Sequence, residues 1–346
     1  MSISSDGRGC TVCRGAGPAG ANVPRCARRM MGAPLLILGV RRSGTTLLRV
    51  MLDRNSELAV PDESYFIPQL ADRHTGNVDP EAFVDDLRRI PTLLEWGVDA
   101  EDVRRRLRPA MFVGDAIGAV YESYAATHGK SRWGDKTPMY MRHLGLLERL
   151  FPEARYVHLI RDGRDAALSF LQMPDGVVTK TWAHPTSAVD FACQWRTEVE
   201  AAQALGGRVG ASRYLEVRYE DLVESPERHL QEITEFAGLT YDPAMLGYAG
   251  QVDLTGKPHQ QSLGRPPTPG LRNWRRDLVG DDVQRFEAVA GELLQTLGYE
   301  LATPGKPTAA SRAKLVSYRA RTAAYRAVSY GLRRSPLWRS RHPVLG

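Results

Sequence analysis

Long hydrophobic runs, cysteine pairs and acidic residues near the C-terminus are all scarce or missing in this 346-residue chain. The apolar run Leu35–Val40 is far shorter than the roughly 20 residues a helical membrane span needs. Residues 1–31 are rich in Gly, Arg and Ser and carry no apolar stretch of the kind a secretory signal uses. They read as a disordered leader, or as text upstream of a true start near Met30 or Met31, and in both cases as outside the fold. Of the four cysteines, Cys10, Cys13 and Cys26 lie in that leader and Cys193 stands alone among apolar neighbours. Cys10 and Cys13 have the spacing of half a zinc knuckle, but no second pair or His-x-x-x-His follows, so no metal site is expected. Nothing here builds a disulfide framework, and the expected setting is reducing, the cytoplasm.

From Lys306 onward there are ten Lys and Arg and no Asp or Glu. Removing those from the 46 basic and 40 acidic residues leaves 36 − 40 = −4 for residues 1–305. The body is mildly acidic, and the basic character belongs to the tail. We expect that tail, 301–346, to be a helical extension. It places Leu315, Tyr318, Tyr325 and Val328 on one docking face, interrupted by Thr322. No nucleic-acid partner is expected, while peripheral membrane contact through the basic helix is compatible with its charge. No internal repeat or heptad run is present.

What the chain does have is alternation. Leu35–Val40 is a continuous apolar run, as in a strand buried on both faces, followed by a basic glycine turn and then Leu47, Leu48, Met51 and Leu52 at helical spacing. Residues 81–130 read as helical with breaks near Pro91 and Pro109. A helix is expected to start at Pro138, carrying Met141, Leu144, Leu147 and Leu150. A second strand, 155–160, runs into Arg161–Asp165 and another helix. A long helix follows over 187–205, then a third strand at 214–219 and a helix through Phe236. Residues 250–270 read as a long loop, and helices near 281–297 and 309–332 close the chain. Short strands alternating with helices predict an α/β domain over 32–300, with a P-loop-like parallel sheet flanked by helices.

The turn Gly39–Thr46 has the glycine spacing of a nucleotide phosphate loop. Such a turn, opening a helix, aims backbone N–H groups at an anion. A triphosphate loop would carry Lys after the second glycine; here that position is Thr45, and the cations stand earlier, at Arg41 and Arg42. A sulfuryl group carries less negative charge than a terminal phosphoryl group, so a bound divalent metal is less necessary. No strand is expected to end in the lone Asp that would hold magnesium. An arginine with backbone donors supplies the charge stabilisation instead. A P-loop kinase or NTPase, and a catalytically inactive nucleotide-binding relative, are the alternatives.

Arg42, Ser43, Gly44, Thr45, Thr46 and Leu47 together resemble the 5′-phosphosulfate loop of sulfotransferases that use 3′-phosphoadenosine 5′-phosphosulfate (PAPS), especially the tyrosylprotein-sulfotransferase-like, bacterial-type branch. The resemblance extends through Asp53 and Pro61–Pro68, and has three further islands at 133–138, 156–169 and 218–222. It implies the sulfotransferase fold, PAPS as cosubstrate without a metal, and a hydroxyl acceptor: carbohydrate, lipid, natural product or tyrosine.

The resemblance also implies roles. Glu63 becomes the general base, with Asp62 as the neighbour that competes for that assignment. Arg42 and Lys136 become the groups that stabilise the departing phosphate. Arg161 and Ser169 would hold the 3′-phosphate, Arg161 at the end of the second strand and Ser169 early in the following helix. Tyr219 would support the nucleotide site. Within the late loop, Ser262, Arg272 and Trp274 are nucleotide contacts, with Trp274 either stacked on adenine or simply packed. Arg164 and Asp165 read as structural, and Asp135 as a neighbour that pairs with Lys136. His143, His158 and His184 share no spacing that suggests a metal or a triad.

Overall fold

In a computed structural model of the chain, residues 32–173, 184–249, 264, 273–278, 280–302 and 308–341 are described. The expected leader, 1–31, and the loop 250–270 apart from Gly264 lie outside them.

Strand β1 (Leu35–Leu38) is apolar at every position because both of its faces are covered. Leu36 and Leu38 point into one core and Leu35 and Ile37 into the other, the period-two alternation of a strand sandwiched between helical layers. Strand β4 (Arg155–Ile160) repeats this, with Tyr156 and Ile160 on the first side and Val157 and Leu159 on the second. With β2 (Leu58–Ala59), β3 (Arg132–Asp135) and β5 (Tyr214–Arg218) they form one sheet in the order β2-β3-β1-β4-β5. Every pairing is parallel.

Fifteen α-helices are described. They are α1 (Thr45–Leu52), α2 (Ile67–Arg73), α3 (Pro80–Leu87), α4 (Pro91–Glu95), α5 (Ala100–Arg106), α6 (Val113–Thr127), α7 (Leu144–Leu150) and α8 (Gly163–Leu171). After them come α9 (Ala188–Val209), α10 (Tyr219–Glu224), α11 (Pro226–Ala237), α12 (Trp274–Asp277), α13 (Gly280–Thr296), α14 (Ala309–Arg334) and α15 (Pro336–Arg341). Helices α1 and α11 cover one face of the sheet, and α6, α9 and α13 contribute to the core on the other. Leu48, Met51 and Leu52 of α1 are fully buried, so truncating Leu48 to Ala removes about 2–5 kcal/mol of packing.

The predicted α/β class is present, with differences that have local causes. Strands β2 and β3 were not expected. The first has two residues, and the second reads Arg132, Trp133, Gly134, Asp135, which shows no apolar run. Gly134 is required there, because a Cβ would lie 2.6 Å from the Leu35 carbonyl oxygen of the neighbouring strand. The helix expected from Pro138 is instead a 3-10 turn, Pro138–Arg142, broken at His143 before α7 begins. Contrary to the sequence reading, a strand beside β1 does end in an aspartate, Asp135.

Helix α14 packs on α9, α13 and α2. Its buried face is Leu315, Tyr318 and Thr322, so the threonine continues the stripe. Its hydroxyl is satisfied by the carbonyls of Tyr318 and Arg319. Val328, expected on that face, is 53% exposed.

Candidate active site

In a parallel sheet all C-terminal strand ends open on one edge, and ligands bind where the strand order reverses. Here the reversal is at β1, between β3 and β4. The chain leaves β1 into Arg42, β3 into Lys136, β4 into Arg161 and β5 into Tyr219, and Glu63 follows β2 after a short turn. Topology alone therefore delivers five residues from separate parts of the sequence to one edge.

The glycine turn is tightly built. Gly44 has φ 89°, and a Cβ there would lie 2.3 Å from the Tyr219 ring. Arg42 also takes a left-handed conformation, φ 69°, uncommon without glycine and found where a backbone is held for function. Helix α1 has Gly44 at its N-cap, with no side-chain cap and no acidic residue in its first turn, so its N–H groups and positive end are not neutralised by a carboxylate there. Ser43 is 1% exposed, and its Oγ has no hydrogen-bond partner among the described residues.

Beside the turn, Arg42 Nε donates to Ser169 Oγ at 2.9 Å, and Arg161 Nη1 donates to the Arg42 carbonyl at 3.2 Å. The Arg161 guanidinium stacks over the Tyr219 ring at 4.6 Å, while its Nε has no hydrogen-bond partner among the described residues. Trp195, which the sequence did not flag, donates from Nε1 to the Arg161 carbonyl at 3.1 Å and fixes the end of β4. Ser169 lies in the second turn of α8, seventh of nine residues, not early in it. The helix starts at once after the strand because Asp162 caps it. Buried polar groups are normally satisfied. The Ser43 hydroxyl and the Arg161 Nε, left without partners beside an unneutralised helix end, fit a bound anion.

On the other side of the turn, Lys136 Nζ donates to Glu63 Oε1 at 2.5 Å and to Thr46 Oγ1 at 3.2 Å. Lys136 is 1% exposed, and burial pushes its ammonium below the ordinary lysine range. Burial pushes the Glu63 carboxyl up, but the Lys136 charge and hydrogen bond and the Tyr65 hydroxyl outweigh it. The carboxyl ends below the usual range. Tyr65 donates to Glu63 Oε2. Asp62 pairs with Arg49 at 2.8 Å, whereas Glu63 is the carboxylate in contact with Lys136. Arg41 also reaches the electrostatic surroundings of Glu63 and Tyr65.

Asp135 does not pair with Lys136. Its Oδ2 accepts from Ser64 Oγ at 2.7 Å and Tyr121 OH at 2.8 Å. Arg164 is fully engaged by Asp162 and Glu287, with contacts of 2.7 and 2.5 Å. Trp274 is 4% exposed and stacks on the Arg164 guanidinium at 3.7 Å, which favours the packed alternative. Its backbone N–H donates to Asp165, whose carboxyl burial pushes up to about 6. Ser262 and Arg272 lie outside the described residues. Of the histidines, His158 is bonded to Tyr214, and burial with three nearby arginines pushes His143 down to about 4.

A lysine-free glycine turn, two basic groups beside it and a carboxylate 2.5 Å from a buried lysine are the features of an α/β site built for an anionic group. Residues 34–243 match the family model described as "Sulfotransferase family". The chain is 30% identical over 302 residues to the nodulation protein NoeE of Sinorhizobium fredii (strain NBRC 101917 / NGR234), covering 79% of this chain and 68% of that one. It is 28% identical over 278 residues to protein-tyrosine sulfotransferase A of Caenorhabditis elegans, covering 77% and 67%. Among solved structures, the sulfotransferase domain of the Synechococcus PCC 7002 olefin synthase superposes with a TM-score of 0.52 at 26% identity, over 78% of this chain and 97% of that domain. The chain belongs to the sulfotransferase family. It is an enzyme of sulfuryl transfer, and the kinase alternative is set aside.

Proposed function

We propose that the chain transfers the sulfuryl group of PAPS to an acceptor hydroxyl, giving a sulfate ester and adenosine 3′,5′-bisphosphate. One observation carries the reading: a carboxylate and a lysine in contact beside a phosphate turn that has threonine at the lysine position and arginine earlier in the turn. Arg42, Ser43, Gly44, Thr45 and Thr46 hold the phosphosulfate end, and Arg161 and Ser169 the 3′-phosphate, with Tyr219 bracing Gly44 and Arg161.

Glu63 takes the acceptor proton as the acceptor oxygen bonds to sulfur. The bond from sulfur to the bridging oxygen breaks, its electrons stay on the phosphate, and Arg42 and Lys136 stabilise that charge. Positioning and electrostatics supply most of the acceleration, so a divalent metal is not part of this reading. Calorimetry against adenosine 3′,5′-bisphosphate and against ATP with magnesium tests the nucleotide: tight binding of the triphosphate alone would refute it. Formation of a sulfated acceptor with release of the bisphosphate tests for an active enzyme against an inactive relative.

The acceptor class stays a hydroxyl compound, carbohydrate, lipid, natural product or tyrosine. Relatives named protein-tyrosine sulfotransferases support the last. A cytoplasmic setting belongs to the same proposal. So does peripheral membrane contact at the end of α14 and α15, where Leu332, Leu337 and Trp338 are 40%, 75% and 36% exposed near Arg334 and Arg341.

A further inference from the structure

Glu63 and Lys136 come from different strand ends, and their contact depends on what fixes the two turns. The residue after Glu63 is Ser64, and the residue before Lys136 is Asp135. Both are buried, at 0% and 2% exposed. Ser64 Oγ donates to Asp135 Oδ2 at 2.7 Å, and Ser64 N donates to Thr137 Oγ1 at 3.0 Å. Tyr121 from α6 donates to the same carboxylate oxygen at 2.8 Å. Tyr140 OH lies 2.7 Å from Ser64 Oγ and accepts from the Ile67 backbone at 3.1 Å. One carboxylate thus fastens the turn after β2, the end of β3 and helix α6 together.

We propose that Asp135 is a positioning residue whose ionised carboxylate, through Ser64, holds Glu63 against Lys136. The inference rests on the reading of Glu63 and Lys136 as the reacting pair. Burial opposes the ionised form of this carboxyl, so keeping it charged carries a desolvation cost. Burial pushes the Asp135 carboxyl up to about 6, against the hydrogen bonds from Ser64, Tyr121 and Thr137 and the charge of Lys136. Tyr140 and Tyr65 are the other titratable groups coupled to it. An acid raised in the fold contributes stability that is complete below its unfolded pKa and is lost as pH rises through about 6. The neutral side chain of D135N escapes that loss.

The test compares D135N and S64A with wild type in kinetics and thermal unfolding across pH. We expect D135N to gain melting temperature relative to wild type as pH rises from about 4 to 7. Its kcat should fall about 10- to 100-fold while nucleotide KM stays within about threefold. Wild type should lose kcat below about pH 6 as the carboxylate is protonated, and D135N should lack that limb. S64A should lower kcat similarly, and the double variant should fall no further than the worse single one. Near-normal kcat in D135N overturns the proposal. So does a drop in which melting temperature, kcat and nucleotide KM all worsen together, since that is a structural role. Full activity in E63Q or K136A would instead refute the assignment of the reacting pair.

Discussion

Arg42 Nε and Ser169 Oγ, 127 positions apart in sequence, are hydrogen-bonded at 2.9 Å. The bond joins the glycine turn after β1 to the helix after β4, so the two ends of the proposed nucleotide site are one connected unit. Arg161 closes the loop through the Arg42 carbonyl.

The two partners should separate kinetically. Arg42→Ala removes a cation from the developing phosphate charge and should lower kcat by about two orders of magnitude, close to 3 kcal/mol in the transition state. Ser169→Ala removes one neutral hydroxyl, worth about 0.5–1.5 kcal/mol, and should raise nucleotide KM severalfold with little change in kcat. Steady-state kinetics with varied PAPS distinguishes them; equal effects on both parameters in both variants would contradict the division of roles.

Glu63→Gln tests the reacting pair. Activity should be nearly lost while affinity for adenosine 3′,5′-bisphosphate by calorimetry stays close to normal. The same variant leaves Lys136 buried without its counter-charge, so it should also unfold at lower temperature at neutral pH. Because the Glu63 carboxyl lies below its ordinary value of 4.5, its contribution is present above that value and is lost as pH falls through the depressed one. The gap in melting temperature between wild type and variant should therefore close in acid. A collapse of nucleotide binding would make Glu63 a structural residue.

Much of this site was legible before the structure because its residues stand directly at strand ends. Leu35–Leu38 reads as a strand from its apolar run and Arg155–Ile160 from its place before a basic turn and a helix, so Arg42 and Arg161 were expected at strand ends, where they stand. Strand β3 was hidden: Trp133 packs on Tyr121 from α6, with ring centroids 4.5 Å apart, a contact with no local pattern. Losing β3 also lost the meaning of Asp135, whose partners Ser64 and Tyr121 are distant in sequence. Proximity of Ser64 to Glu63 was the one available signal. The break of the Pro138 helix at His143 was illegible for a related reason. Met141, Leu144, Leu147 and Leu150 keep helical spacing across it and are all buried.

Gly44→Ala should injure the site more than the fold. The position has φ 89°, costing an alanine roughly 1–2 kcal/mol, and the new methyl would meet the Tyr219 ring at 2.3 Å. The ring would have to leave its stack on Arg161. We expect affinity for the bisphosphate to drop at least about tenfold by calorimetry, with far-UV circular dichroism unchanged. The double variant with Tyr219→Ala should recover part of that loss if the clash is its cause.

The end of the chain offers a separate test. Much of the basic charge of α14 is spent on the body: Lys314 pairs with Asp190 at 3.1 Å, Arg333 pairs with Asp72 at 2.7 Å, and Arg319 pairs with Glu200. Beyond those contacts the exposed apolar side chains Leu332, Leu337 and Trp338 stand beside Arg334 and Arg341, a combination suited to an anionic lipid surface. Vesicles of phosphatidylcholine mixed with phosphatidylglycerol should retain the protein in flotation, and pure phosphatidylcholine should not. High salt should weaken the retention, because the arginine contribution is screened. Leu337→Asp with Trp338→Asp should abolish it while sulfation of a soluble acceptor continues at the wild-type rate, since neither residue belongs to the strand-end turns of the proposed site. Equal binding to neutral vesicles, or retention that survives the double substitution, would count against a lipid-facing role. Concentration-dependent self-association lost in the same variant would assign the patch to a second copy of the chain instead.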